Sequence, residues 1–97
     1  METNATLTYT GENKVFRYEN GQFTITGQKV IDNGNFTRVD GGNITKNGSF
    51  LGSYNHQVEN GTMKNLWVNF ADPMQAVDIL AQISACFEAL NTENEAE

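Results

Sequence analysis

The chain has a single cysteine, Cys86, and a single histidine, His56, and each scarcity removes a class of chemistry. A lone cysteine cannot close an internal disulfide, so the fold rests on its core and fits a reducing compartment. One histidine and one cysteine cannot make a zinc site by themselves. His56 lies between Asn55 and Gln57, without the partner that general-base catalysis requires, and reads as a polar residue near a turn. Cys86 has no neighbouring Lys, Arg or His to depress its pKa and reads as a small core residue. Long apolar runs are missing too. None approaches the ~18 residues of a membrane-spanning helix, and the opening residues lack the basic start and apolar run of a signal peptide. These features lead us to expect a cytoplasmic protein with no membrane partner.

Basic residues are few and poorly placed for nucleic acid. Residues 1–70 hold all six Lys and Arg together with six acids, whereas residues 71–97 hold six acids and no base, which gives the chain its net charge of −6. A neutral body with an acidic end lacks the clustered cations that phosphate contacts need, so no nucleic-acid partner is expected. It can meet a basic protein surface. Loops that bind cofactors are absent as well. Asp32-Asn33-Gly34-Asn35 and Asp40-Gly41-Gly42-Asn43 are rich in oxygen but lack EF-hand ligand spacing and its terminal Glu, and Gly41-Gly42 opens no phosphate loop. The sequence predicts no cofactor, no metal and no enzyme.

What the chain has is a repeat. Asn20-Gly21, Asn33-Gly34, Asn47-Gly48 and Asn60-Gly61 recur at spacings of 13, 14 and 13 residues, each with a large apolar residue two positions after the glycine (Phe23, Phe36, Phe50, Met63). Asn-Gly suits both central positions of a type I′ hairpin turn, where φ is positive. Centring the first turn on Asn20-Gly21 pairs Tyr18 with Phe23 and Phe16 with Ile25, placing all four on one face. The same rule pairs Ile31 with Phe36 and Lys29 with Arg38, then Thr45 with Phe50 and Ile44 with Leu51, then Val58 with Met63, with Tyr54 near Trp67. Gly27, Gly41-Gly42 and Gly52-Ser53 would reverse the chain between hairpins, giving up to nine short strands. Leu66, Val68 and Phe70 then share one face of the last strand and Trp67 takes the other.

At Ala71 the grammar changes. Asp72 at N-cap, Pro73 at N1 and Gln75 at N3 read as a capping box, and residues 73–90 run without glycine or a second proline. At 100° per residue, Ala76, Ile79, Leu80, Ile83, Cys86, Phe87 and Leu90 form one apolar stripe. The expected fold is α+β: a short-stranded antiparallel β-meander or partly closed barrel built on Asn-Gly hairpins, with one C-terminal helix packed on it. The single domain would span 1–91 (strands 5–70, helix 73–90), followed by an acidic frayed tail at 92–97. A solenoid with one rung per repeat is the alternative.

Two functional readings follow. The first is a non-catalytic interaction protein, such as an inhibitor, immunity or accessory factor, that occupies a partner surface; small acidic proteins of this build are often carried by phages and other mobile elements. Self-association is expected as well, because the strands leave sheet edges and Ala81, Ala85 and Ala89 permit close helix approach. The second is a protein that sequesters an anionic, nucleotide-like small molecule near a subunit interface. Its site would use Arg38, Lys29, Phe36, Arg17 and Tyr54, because cations interleaved with aromatics can stack on and neutralise such a ligand. Five Asn-X-Ser/Thr sequons, at Asn4, Asn35, Asn43, Asn47 and Asn60, are accounted for by turn chemistry.

Overall fold

The computed structural model describes residues 5–10 and 14–92, apart from the side chain of Thr92. Gly11-Glu12-Asn13, a turn signal between the first two strands of the sequence, lies outside the described residues, as do the sequon at Asn4 and residues 93–97 of the expected tail. Six strands run in sequence: β1 (Thr6–Thr10), β2 (Val15–Asn20), β3 (Phe23–Asp32), β4 (Asn35–Lys46), β5 (Ser49–Glu59) and β6 (Thr62–Phe70). A short 3₁₀ turn, Pro73–Gln75, leads into the helix α1 (Ala76–Thr92). Each strand pairs antiparallel with the next, in the order β1-β2-β3-β4-β5-β6. The sheet is an open meander with β1 and β6 at its edges. It does not close into a barrel, and antiparallel neighbours exclude the solenoid.

Six strands replace the nine expected because each repeat unit is one strand and one turn. β3, β4 and β5 are 10, 12 and 11 residues long and run straight through the glycines expected to reverse them. Those glycines sit at or beside β-bulges. Register shifts fall between Thr26 and Gln28 of β3 opposite β4, and between Val39 and Gly42 of β4 opposite β5. In β4, Val39, Gly42 and Ile44 all face inward, which strict alternation forbids; Gly41, at φ +63°, is the extra residue that restores the pattern. Leu51 plays the same part in β5. Its free carbonyl accepts the main-chain N–H of both Ala71 (2.9 Å) and Asp72 (3.1 Å), anchoring the passage from sheet to helix.

Asn-Gly supplies both central residues of three turns, with φ of 54° and 80° at Asn33-Gly34, 52° and 84° at Asn47-Gly48, and 56° and 77° at Asn60-Gly61. The first turn differs. Asn20 pairs with Phe23, so Gly21 and Gln22 are the central residues, and only Gly21 has positive φ, as a type II′ turn requires. The hairpin register is therefore two residues from the expected one: Tyr18 opposes Ile25 and Phe16 opposes Gly27. A slip of two leaves every side chain on its own face. Phe16, Tyr18 and Ile25 are buried as expected, while Phe23, nearer the sheet end, is half-buried.

The helix crosses the inner face. Ile79, Ile83, Cys86 and Leu90 join Phe16, Tyr18, Ile25, Val39, Ile44, Leu51 and Tyr54 in one cluster, each 5% exposed or less. Side chains of this size contribute about 1.5–3 kcal/mol each when fully buried. Leu80, expected in the stripe, is 43% exposed, because the buried arc centres on Ile79 and Ile83. The capping box forms by half. The Asp72 carboxylate accepts the Met74 N–H (3.3 Å), but the Asp72 N–H goes to Leu51. Two asparagines tie helix to sheet: Asn20 Nδ2 donates to Gln82 Oε1 (3.1 Å), and Asn91 Nδ2 to the Gly61 carbonyl (3.1 Å).

Candidate functional site

The bulge at Thr37 decides where the expected cations go. Ile31 opposes Phe36 as expected, but one residue later the register shifts, so Val30 opposes Arg38 and Lys29 opposes Val39. The Lys29–Arg38 pair therefore does not form. Lys29 turns inward and is 1% exposed, whereas Arg38 stands on the outer face. Lys29 Nζ donates to the main-chain carbonyl of Leu90 (2.8 Å) and to the Tyr9 hydroxyl (3.4 Å), and lies 4.9 Å from the Phe36 ring centroid. A cation at the carbonyl end of α1 meets the negative pole of the helix dipole. Lys29 thus acts as a helix cap contributed by the sheet.

The remaining expected site residues divide between the faces. Phe36 lies inward, its ring 6.1 Å from Phe87. Tyr54 is buried, with its hydroxyl 4.0 Å from Cys86 Sγ. Burial pushes the Cys86 thiol up to about 12 and the Tyr54 hydroxyl well above its usual range. His56 is also buried, against the expectation of a turn residue. Its ring stacks on Tyr54 (6.0 Å, 16°), meets Phe87 edge-on (5.5 Å, 82°), and has Nδ1 3.0 Å from the Gln57 carbonyl. Burial lowers its pKa, which favours neutral imidazole. Arg17 and Arg38 lie on the outer face, and each is paired along its own strand: Arg17 Nε with Glu19 (2.7 Å), Arg38 Nε with both carboxylate oxygens of Asp40 (3.1 and 3.0 Å). The structure brings Lys29 and Phe36 together and separates them from the two arginines.

The outer face is left open by the helix and reads as rows across the sheet. One row runs Thr8, Arg17, Thr26, Asn43, Ser53, Asn69; beside it Gln28 opposes Asp40 and Asn55 opposes Trp67, with Asp40 and Asn55 bordering one depression across the β4 bulge. Trp67, the only tryptophan, is 71% exposed. It separates two shallow depressions that share it and Asn55. The larger, of about 690 Å³, is bordered by Arg38, Asp40, Gln57 and Asn65. The smaller, of about 290 Å³, is bordered by Asn43, Ser53 and Asn69. Asn65, at φ 53°, forms the bulge that turns Trp67 outward opposite Asn55, and its amide donates to Gln57 Oε1 (2.5 Å). The sequence carried this signal in the alternation that sets Trp67 apart from Leu66, Val68 and Phe70.

A second exposed feature lies on the other side of the molecule. Where the 3₁₀ turn meets α1, Met74 is 90% exposed, Val77 81% and Leu80 43%, with Ala81 exposed beside them. Asp78 borders this patch, and the helix carries no basic residue.

Among the described residues, no group of three or more His, Cys, Asp or Glu could hold a metal ion, and no helix is long and apolar enough to cross a membrane. No protein-family model, curated protein or solved structure matches this chain.

Proposed function

We propose that this chain is a non-catalytic interaction protein that acts by occupying a partner surface with the outward side of its helix. One observation carries the reading: Met74 and Val77, the two most exposed large apolar side chains among the described residues, stand together at the start of a helix that has acids and no bases. Surface patches of this kind mark contact sites when they cluster. Residues 71–97 carry six acids and no base, so the complementary partner is a protein with an apolar groove rimmed by Lys and Arg. The buried cysteine supports the non-catalytic part: burial disfavours the thiolate of Cys86, the form a nucleophile needs.

The test is affinity capture with wild-type protein and a Met74→Asp/Val77→Asp variant, whose circular dichroism should match because neither side chain is buried. A partner retained by wild type, lost by the variant and released by added salt supports the reading. A partner retained equally by both removes it. A wild-type dimer in sedimentation that the variant lacks assigns the patch to self-association instead.

A further inference from the structure

We propose that the outer face of the sheet around Trp67 binds a neutral, extended oligosaccharide. Four observations converge on that ligand class.

The first is the aromatic platform. Trp67 presents a 71%-exposed ring beside Asn55 on a face where hydroxyl and amide side chains predominate. An indole kept in water on a polar face suits a ligand that is itself amphipathic. The C–H face of a pyranose ring is apolar while its rim is hydroxylated, so it stacks on the indole and leaves its polar edge to the neighbouring side chains.

The second is the chemistry of that surround. Asn55, Gln57, Asn65, Asn43, Asn69 and Ser53 border the two depressions. An amide offers a donor pair and an acceptor in one plane, which matches the adjacent hydroxyls of a sugar, each both donor and acceptor.

The third is charge. Among the described residues the register places three cations on this face, Arg17, Arg38 and Lys64, and four anions, Glu19, Asp32, Asp40 and Glu59. Both arginines are neutralised in place by a carboxylate two residues along the same strand. A nucleotide or acidic peptide would gain little there, and a neutral ligand loses nothing.

The fourth is shape. The depressions, about 690 and 290 Å³, are open and lie on either side of Trp67, sharing it as a common wall. A chain ligand can place one unit on the indole and its neighbours in each depression. The half-exposed Phe50, opposite Thr45 further along the same face, offers a second apolar surface for a longer chain.

Because Trp67 is the only tryptophan, its fluorescence reports this site alone. The experiment titrates the full chain with cellohexaose, xylohexaose, mannohexaose and N-acetylchitohexaose, with ATP and a heparin hexasaccharide as anionic controls. A saturable change in emission with at least one neutral hexasaccharide, weaker with its disaccharide and absent with both anions, is the expected result. Calorimetry with that sugar should show binding lost in Trp67→Ala and weakened at least about tenfold in Asn55→Ala, with both variants folded by circular dichroism. Emission unchanged by all four neutral sugars overturns the proposal, as does a response to the anions alone or undiminished binding by Trp67→Ala. The Met74→Asp/Val77→Asp variant should bind the sugar as wild type does, so failure of the helix reading leaves this one standing, and the reverse.

Discussion

The Lys29 ammonium donates to the Leu90 carbonyl at 2.8 Å, joining the middle of β3 to the last full turn of α1 across 61 positions of sequence. This contact gives the helix end a charged donor where its own backbone can supply none. Lys29→Met keeps most of the stem and removes the donor, so the cost should be that of an unsatisfied buried carbonyl, about 1–3 kcal/mol. Lys29→Ala also opens a cavity and should cost about 2–5 kcal/mol. Urea midpoints measure both. A Lys29→Met midpoint equal to wild type would show that the contact stabilises nothing.

Cys86 and Tyr54 make the fold sensitive to alkali. The thiol is pushed from 9.0 up to about 12 in the folded chain, so in this interval the unfolded chain has released a proton that the folded chain retains. Stability is then full below about 9 and falls as pH rises toward 12. Tyr54, raised in the same direction, adds to the loss at the upper end. Cys86→Ala should flatten the slope between pH 9 and 11. The same burial should leave the native thiol unreactive toward a disulfide reagent that labels the unfolded chain fully.

His56 gives the opposite sign on the acid side. Its folded pKa is lowered from 6.5, so below that pH the unfolded chain takes up a proton that the folded chain refuses. Stability is full above 6.5 and is lost as pH falls through the folded value. Being the only histidine, it gives a single imidazole resonance whose titration midpoint should lie below 6.5. A midpoint at or above 6.5 would mean that the ring is solvated and not packed between Tyr54 and Phe87.

How much of this was legible in the sequence depends on parity. Turn chemistry marks the four reversals that carry Asn-Gly, and alternation assigns the faces. The first hairpin kept its buried face although its register was two residues off, because a slip of two is invisible to alternation. Single-residue bulges are different. Thr37, Gly41, Leu51 and Asn65 each exchange the faces on one side of the bulge, and nothing in the local residue types marks Thr37 or Leu51 as extra. The Thr37 bulge alone separates Lys29 from Arg38 and puts the two on opposite faces of the sheet. A glycine signal does not distinguish a bulge from a turn, because both use positive φ, as Gly41 does. On the helix, a broad stripe of apolar residues admits several rotations about its axis, which is why the periodicity takes in Leu80 although the structure leaves it 43% exposed.

Gly42 tests the bulge directly. A methyl group there would overlap three atoms of the buried Tyr54 ring, so one of the two must shift. Gly42→Ala should displace that ring from Cys86 and cost about 1–3 kcal/mol by overpacking. Gly48, with positive φ but open space around its Cα, isolates the other contribution. Gly48→Ala should cost about 1–2 kcal/mol through backbone strain alone, and Asn could replace that glycine at lower cost. A neutral Gly42→Ala would mean that Tyr54 has room to move and that the β4 bulge is not fixed by packing.

The helix should be indispensable to the sheet. Phe16, Tyr18, Ile25, Val39, Ile44 and Tyr54 are each 4% exposed or less, and α1 covers the face that bears them. Ile79, Ile83 and Leu90 alone represent about 4.5–9 kcal/mol of burial at the usual value per side chain, against a total of about 5–15 kcal/mol for a typical domain. Removing residues 71–97 also frees the Leu51 carbonyl and the Lys29 ammonium from the main-chain groups that pair with them. The 1–70 fragment should therefore be unfolded or insoluble, with no cooperative melt. Supplying a synthetic 71–97 peptide to the fragment in trans should restore β-sheet circular dichroism if the deficit is the missing cover. A fragment that melts cooperatively with dispersed amide resonances would show that the meander stands by itself and that the helix is an addition to it.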